Sequence, residues 1–238
     1  MLKLLLTCEH GGNRIPPEYI SLFQGAEEVL ASHRGYDIGA LSLFKELQPL
    51  ASASYFSENS RLLVELNRSL HHPHLFSAYT KPLPEQEKTA ILNAFYFPYR
   101  RQVEQAVQEM VQNGDQVLHL SVHTFTPVLN GVERQTDIGL LYDPARKMEQ
   151  AICKVFKEHF PLEPEKLQIR FNYPYLGKSD GLTTYLRGRF SEVQYRGIEL
   201  EVNQCFAQGS AKVWGHVRWQ IKQTLNQVLH TSRVPVAG

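Results

Sequence analysis

Three separated stretches of the chain carry strand-like patterns of apolar and polar residues. Leu4-Leu5-Leu6 is an apolar run of strand length that stops abruptly at Glu9-His10-Gly11-Gly12. Leu118, Leu120 and Val122 alternate with His119, Ser121 and His123, and Ile198, Leu200 and Val202 alternate with Glu199, Glu201 and Asn203. A period of two marks strands with one apolar face. Residues 60–69 read as another short strand ending in Asn67-Arg68, and Ile138 to Tyr142 as a further one. Helical spacing appears in between. Leu41, Phe44 and Leu47 share a face, and Pro84 to Asn113 reads as mostly helical with Val103, Val107, Met110 and Val111 inward. Pro98 is expected to start a new helix or kink the old one, and Gly114 to cap its end. Helices are also expected from Met148 to His159, with Ile152, Val155 and Phe156 inward, and from about Ser210 to His230. Trp214 and Trp219 in the last helix read as packing residues. Strands alternating with helices predict an α/β fold, a three-layer sandwich in which a mixed, mostly parallel sheet is flanked by helices.

Composition narrows this picture without changing it. The chain has 238 residues, 42% of them hydrophobic, enough for a sizeable core in one domain spanning 1–238. Its 25 basic and 24 acidic residues leave a net charge of +1, which gives no electrostatic case for nucleic acid or an anionic membrane. The three cysteines, Cys8, Cys153 and Cys205, lack Cys-x-x-Cys spacing and argue for a reducing, cytoplasmic setting rather than a disulfide framework. The N-terminal apolar run is too short for a signal sequence, and no window approaches the ~20 apolar residues of a membrane span.

The polar residues at the strand ends supply the candidate chemistry. Side chains at the carboxyl ends of sheet strands project into the crevice where open α/β proteins bind ligands. His10 and His123 both occupy such positions, and two imidazoles joined by a carboxylate are the usual protein half of a catalytic zinc site. His10 also reads as a solvated turn histidine, and Gly11 and Gly12 as a tight turn that lets the backbone approach a ligand. His119 shares the parity of His123 but lies deeper, and reads better as a buried, hydrogen-bonded histidine. Asp37, ahead of the Leu41–Leu47 helix, is the preferred third ligand; a helix cap is the alternative, and Glu9 and Asn13 compete for the role. Glu201 is the candidate proton handler, against an edge strand with both glutamates in water. Arg68 with Asn67 forms a candidate carboxylate site, the planar guanidinium binding a carboxylate in two places. Arg134 and the loop carrying Lys178 are further candidates for substrate binding or for oxyanion donors.

Taken in order, these motifs resemble the N-formylglutamate amidohydrolase family, in the branch with Cys-Glu-His-Gly-Gly-Asn-Arg-Ile-Pro near the N-terminus. The resemblance runs through Asp37-Ile38-Gly39-Ala40, Leu66-Asn67-Arg68, Ser121-Val122-His123-Thr124-Phe125, residues 131–143, Tyr173-Pro174-Tyr175, Lys178-Ser179-Asp180-Gly181-Leu182 and Glu199-Leu200-Glu201-Val202-Asn203-Gln204. It implies a zinc-carboxypeptidase-like (phosphorylase/hydrolase-like) fold distantly similar to that of the aspartoacylases, with one zinc ion at the sheet's mouth. It further implies hydrolysis of a small N-acyl amino acid such as N-formylglutamate, with Glu201 as base and Asn67-Arg68 holding the substrate carboxylate. The His-x-x-Glu zinc motif of those relatives is His10-Gly11-Gly12-Asn13 here, which moves the acidic ligand to Asp37. A deacylase of another acyl amino acid or peptide, and a non-catalytic binding protein on the same fold, are the alternatives.

Overall fold

A computed structural model describes residues 1–161 and 167–231. Its centre is a six-stranded sheet in the order β2-β1-β3-β8-β6-β7. The strands are β1 (Leu2–Cys8), β2 (Ala53–Phe56), β3 (Gln116–Phe125), β6 (Ile138–Leu141), β7 (Ile169–Phe171) and β8 (Tyr195–Asn203); β4 (Val128–Leu129) and β5 (Val132–Glu133) form a separate hairpin. Neighbours in the large sheet are parallel except β6 and β8, which run antiparallel. The sheet is therefore mixed and mostly parallel.

Helices cover both faces. On one side lie α2 (Ala40–Leu47), α5 (Lys147–His159) and α8 (Ala211–Thr231), packed on Leu4, Leu6, Leu118, Leu120, Ile198 and Leu200. On the other lie α3 (Glu85–Ile91), α4 (Phe97–Gln112) and α6 (Leu182–Arg187), packed around Leu5, Val117 and Tyr195. The short α1 (Glu27–Leu30) and α7 (Gln204–Gln208) complete the set. Pro98 falls in the first turn of α4, and the preceding residues Leu92–Tyr96 wind as a π-helix that joins α3 to α4. Proline lacks the N–H of a regular ladder, so the winding changes just before it. Gly114 follows α4 with a φ of 79°, as a helix-ending glycine should.

Two local expectations are corrected. Residues 60–69 form no strand but a succession of turns. Leu62, Leu63, Val64 and Leu66 are all buried, so the run has no solvent face. Side-chain bonds replace a ladder there, the Glu65 carboxylate accepting from the Asn67 N–H at 3.0 Å. Trp214 packs in the core and donates to Ser42 Oγ, but Trp219 is 50% exposed and stacks on His216 instead. Among the described residues no helix is long and apolar enough to cross a membrane.

The topology also places the crevice. From β1 the chain moves to β2 on one side and later to β3 on the other, so the switch point lies between β1 and β3. His10 follows β1, and His123 sits near the end of β3.

Candidate metal centre and active site

On the face away from α2 and α8, the central strands carry a polar column where a buried sheet is normally aliphatic. Register aligns Thr7 with Ser121 and Glu199, and His123 with Glu201. Strands lie about 4.8 Å apart, so His123 and Glu201 are side-by-side neighbours at the sheet's carboxyl edge. The column begins at His119, whose ring bonds to Thr7 Oγ1 at 2.8 Å and to the Tyr195 hydroxyl at 2.6 Å. Burial lowers its pKa to about 4. It is a neutral structural histidine.

His10, Asp37 and His123 meet above it, exposed by only 2%, 4% and 3%. The Asp37 N–H bonds to the His10 carbonyl at 3.0 Å, which brings the two segments together. Gly39 caps α2, and Asp37 turns its carboxylate into the crevice instead. Its Oδ2 lies 3.3 Å from His10 Nδ1 and 3.0 Å from His123 Nδ1. One ligand atom from each residue falls within 4.8 Å of the others. Tetrahedral zinc holds nitrogen and oxygen donors at about 2.0–2.2 Å, which spaces neighbouring donors roughly 3.3 Å apart. The donor set thus fits such an ion.

The far side of each imidazole fits it too. His10 Nε2 contacts Glu65 Oε1, and His123 Nε2 lies 2.8 Å from Ser121 Oγ and 3.3 Å from Glu9 Oε2. Glu9 is held in turn by the hydroxyls of Ser121 at 2.7 Å and Tyr99 at 2.9 Å. A carboxylate on the outer nitrogen directs the inner lone pair of a ligating histidine at the metal. Glu9 therefore stands behind His123, outside the His10–Asp37–His123 group. Asn13 is turned away, donating to the Leu30 carbonyl. Gly11 and Gly12 make their close approach to the chain at Ser57 and Glu58, not to the cavity, and a Cβ on Gly12 would lie 2.5 Å from the Glu58 carbonyl oxygen.

Charge is dense here. Burial acts to raise the Asp37 pKa, but His10, His123 and Arg61 outweigh it and hold the carboxylate well below its usual range. Burial and Arg61 press the His10 pKa down, and Glu65 and Asp37 reverse that, for a net rise. Burial likewise acts against His123, and its bonds to Asp37 and Glu9 carry its pKa well above the ordinary value. Glu201 goes the other way. Burial raises its carboxyl to about 8, with Asp37 and Glu199 adding to the rise and His123 and Arg61 opposing it. Its Oε2 has no hydrogen-bond partner among the described residues.

A cavity of about 200 Å³ opens over these groups, lined by His10, Asp37, His123 and Glu201 together with Asn67 and Arg68. The Leu182 N–H donates to Asn67 Oδ1 at 2.6 Å. An N–H can only donate, so the amide oxygen is fixed toward Leu182 and the NH₂ is left for the cavity. Arg68 donates to the Asp180 carbonyl. Arg134 and Lys178 do not line the cavity. The Arg134 guanidinium lies over the rings of Tyr175, at 4.9 Å, and Phe125, at 5.8 Å.

Arg61 and Glu65 also join the candidate site, and pattern reading missed both. Arg61 donates to Glu65 Oε2 through Nε at 2.9 Å and Nη2 at 2.7 Å, and to Asp37 Oδ1 through Nη1 at 3.0 Å. Their opposite charges four residues apart were the available signal, hidden by reading the segment as a strand.

Fold and site together define an α/β protein with a metal-competent two-histidine, one-carboxylate crevice at its sheet's switch point. The model of the N-formylglutamate amidohydrolase family matches residues 2–207, and the chain belongs to that family. Among solved structures, a gene product of Agrobacterium tumefaciens is 27% identical with a TM-score of 0.77, over 95% of this chain and 91% of that one. The N-formylglutamate amidohydrolase from Ralstonia eutropha is 16% identical with a TM-score of 0.72, over 98% and 94%, and shares the fold. No curated protein matches the sequence.

Proposed function

We propose that this protein hydrolyses the amide bond of a small N-acyl amino acid, N-formylglutamate being the substrate for which its family is named. The observation that carries the reading is the convergence of one ligand atom each from His10, Asp37 and His123 within 4.8 Å of one another, Asp37 Oδ2 lying 3.3 Å from His10 Nδ1 and 3.0 Å from His123 Nδ1, with Glu201 on the same cavity wall. These three residues would hold one zinc ion. When bound, zinc supplies a Lewis acid for the acyl oxygen and lowers the pKa of water.

The chain's own groups do the rest. Glu201 takes a proton from the attacking water and passes it to the leaving nitrogen, so that water and amide become a carboxylic acid and an amine. Its buried Oε2, which has no hydrogen-bond partner among the described residues, is free to accept a proton and release it again. Arg68 and the Asn67 NH₂ bind the substrate carboxylate. Arg61 lines the same cavity and keeps N–H donors beyond those given to Asp37 and Glu65, suited to charge developing on the acyl oxygen. Glu65 and Glu9 orient the two histidines. Glu201→Gln is expected to lower kcat at least a thousandfold while zinc content stays at one per chain; near-normal turnover by the variant contradicts the assignment.

A further inference from the structure

On the amide-hydrolase reading above, we propose that the preferred substrate carries one carboxylate and an apolar amino-acid side chain, and is not a dicarboxylic compound such as N-formylglutamate. A dicarboxylic substrate brings a second anion into a confined site, and a desolvated carboxylate needs a cation or several donors of its own. Among the described residues, the guanidinium groups on the cavity wall are those of Arg61 and Arg68. Arg61 already bridges two carboxylates, Asp37 and Glu65, and the reading above gives its remaining donors to the acyl oxygen. Arg68 gives one bond to a backbone carbonyl and keeps the rest of its fork, which suffices for one substrate carboxylate. The next cation, Arg134, is covered by the Phe125 and Tyr175 rings; it donates to the Thr126 carbonyl at 3.3 Å, and the rings rather than the guanidinium form the wall. The same wall carries the carboxyl groups of Asp37, Asp180, Glu199 and Glu201, and its Thr124, Thr126 and Gln204 donors are already given to backbone carbonyls, which leaves the hydroxyl of Ser179 and the exposed imidazole of His33. A second substrate carboxylate would find no guanidinium free of a carboxylate partner and few unspent donors.

The outer wall has the opposite character. Leu129, Tyr175 and Leu176 line the cavity there, and Tyr175 and Leu176 remain 44% and 54% exposed. The β4–β5 hairpin that carries Leu129 also exposes Val128 and Val132, at 51% and 67%. Apolar exposure collected beside a polar cavity marks a binding surface better than scattered exposed residues do. Depth decides which part of the substrate meets it. The reacting groups are the deepest, Glu201 being only 5% exposed, and a cavity of about 200 Å³ receives a small acyl group there. Arg68 is half-buried above them, and the apolar rim is outermost. The acyl group thus enters first, the carboxylate stops at Arg68, and the side chain of the amino acid rests on Leu129, Tyr175 and Leu176.

The test is a kinetic panel on the zinc-loaded protein, with N-formyl-leucine, N-formyl-phenylalanine, N-formyl-glutamate and N-octanoyl-leucine. The expected result is a kcat/KM for the leucine or phenylalanine compound at least tenfold above that for the glutamate compound, and little activity on the octanoyl one. Leu176→Lys should reduce turnover of the apolar substrates severalfold and raise that of the glutamate compound, whose second carboxylate would gain a cation there. Product inhibition gives a second readout, leucine binding more tightly than glutamate to the zinc-loaded wild type. Preference for N-formyl-glutamate overturns the substrate class and leaves amide hydrolysis standing. Preference for the octanoyl chain assigns the rim to the acyl group and also overturns it. Absence of turnover on every compound, with zinc bound, overturns the hydrolase reading itself.

Discussion

Glu201 is a carboxyl group in the crevice whose surroundings oppose its charge. Asp37 and Glu65 are offset by Arg61 and the histidines, whereas Glu201 is buried with an unpartnered oxygen. Its pKa rises from an ordinary 4.5 to about 8 in the metal-free protein. A folded state that holds a proton more tightly than the unfolded chain is favoured where that proton is bound. The contribution of Glu201 to stability is therefore complete below about pH 4.5 and is lost as the pH rises to about 8. Urea denaturation of metal-free protein should show the wild type losing stability relative to Glu201→Gln as pH climbs over that interval; parallel pH profiles would contradict it. The outer carboxylates act differently, through the imidazoles they hold. Glu65→Gln keeps shape and removes charge behind His10, and should weaken zinc binding roughly 10–100-fold. Competition with a chromophoric chelator measures this, and an unchanged affinity would remove Glu65 from its orienting role. Most of these residues were legible in the sequence because each ends an apolar run. Their pairing was not: that Glu9 backs His123 while Glu65 backs His10 depends on segments 114 and 55 residues apart respectively closing on each other.

At the level of elements, the register of β3 against β8 sets His123 beside Glu201, and β6 completes the row with Gly139 opposite Glu201. Side chains alternate across a strand, so a one-residue slip would bury both on the aliphatic face. Gly139 is there because nothing larger fits: a Cβ would lie 2.2 Å from the Tyr173 carbonyl oxygen and 3.2 Å from Glu201 Cβ. Gly139→Ala should cost about 1–3 kcal/mol of stability and lower kcat by disturbing Glu201; thermal unfolding and steady-state kinetics check both, and a variant with normal stability would show that the loop yields. Period-two alternation revealed β3 and β8 and their polar faces directly. The same logic failed for residues 60–69, where four buried apolar residues in a turn-rich segment mimic a buried strand. Local pattern cannot separate a strand buried on both faces from an irregular segment beneath a loop. What was legible there was the chemistry of Asn67-Arg68, whose cavity position owes nothing to strand geometry.

The whole molecule assembles these parts by topology. A mostly parallel sheet covered on both faces directs its carboxyl ends to one rim, and the switch between β1 and β3 opens the rim where the histidines stand. The alternation of strands and helices carried that architecture in the sequence. The fate of Arg134 did not follow from it, because whether a cation reaches a cavity or lies behind Phe125 and Tyr175 is set by the packing of a distant loop. The most direct measurement of the central claim is a crystal structure of protein purified without chelator, with anomalous data on both sides of the zinc absorption edge. The account predicts one peak about 2.0–2.2 Å from His10 Nδ1, an Asp37 carboxylate oxygen and His123 Nδ1, with Glu201 beside it. No peak in zinc-replete crystals, or a peak held by other residues, would contradict it.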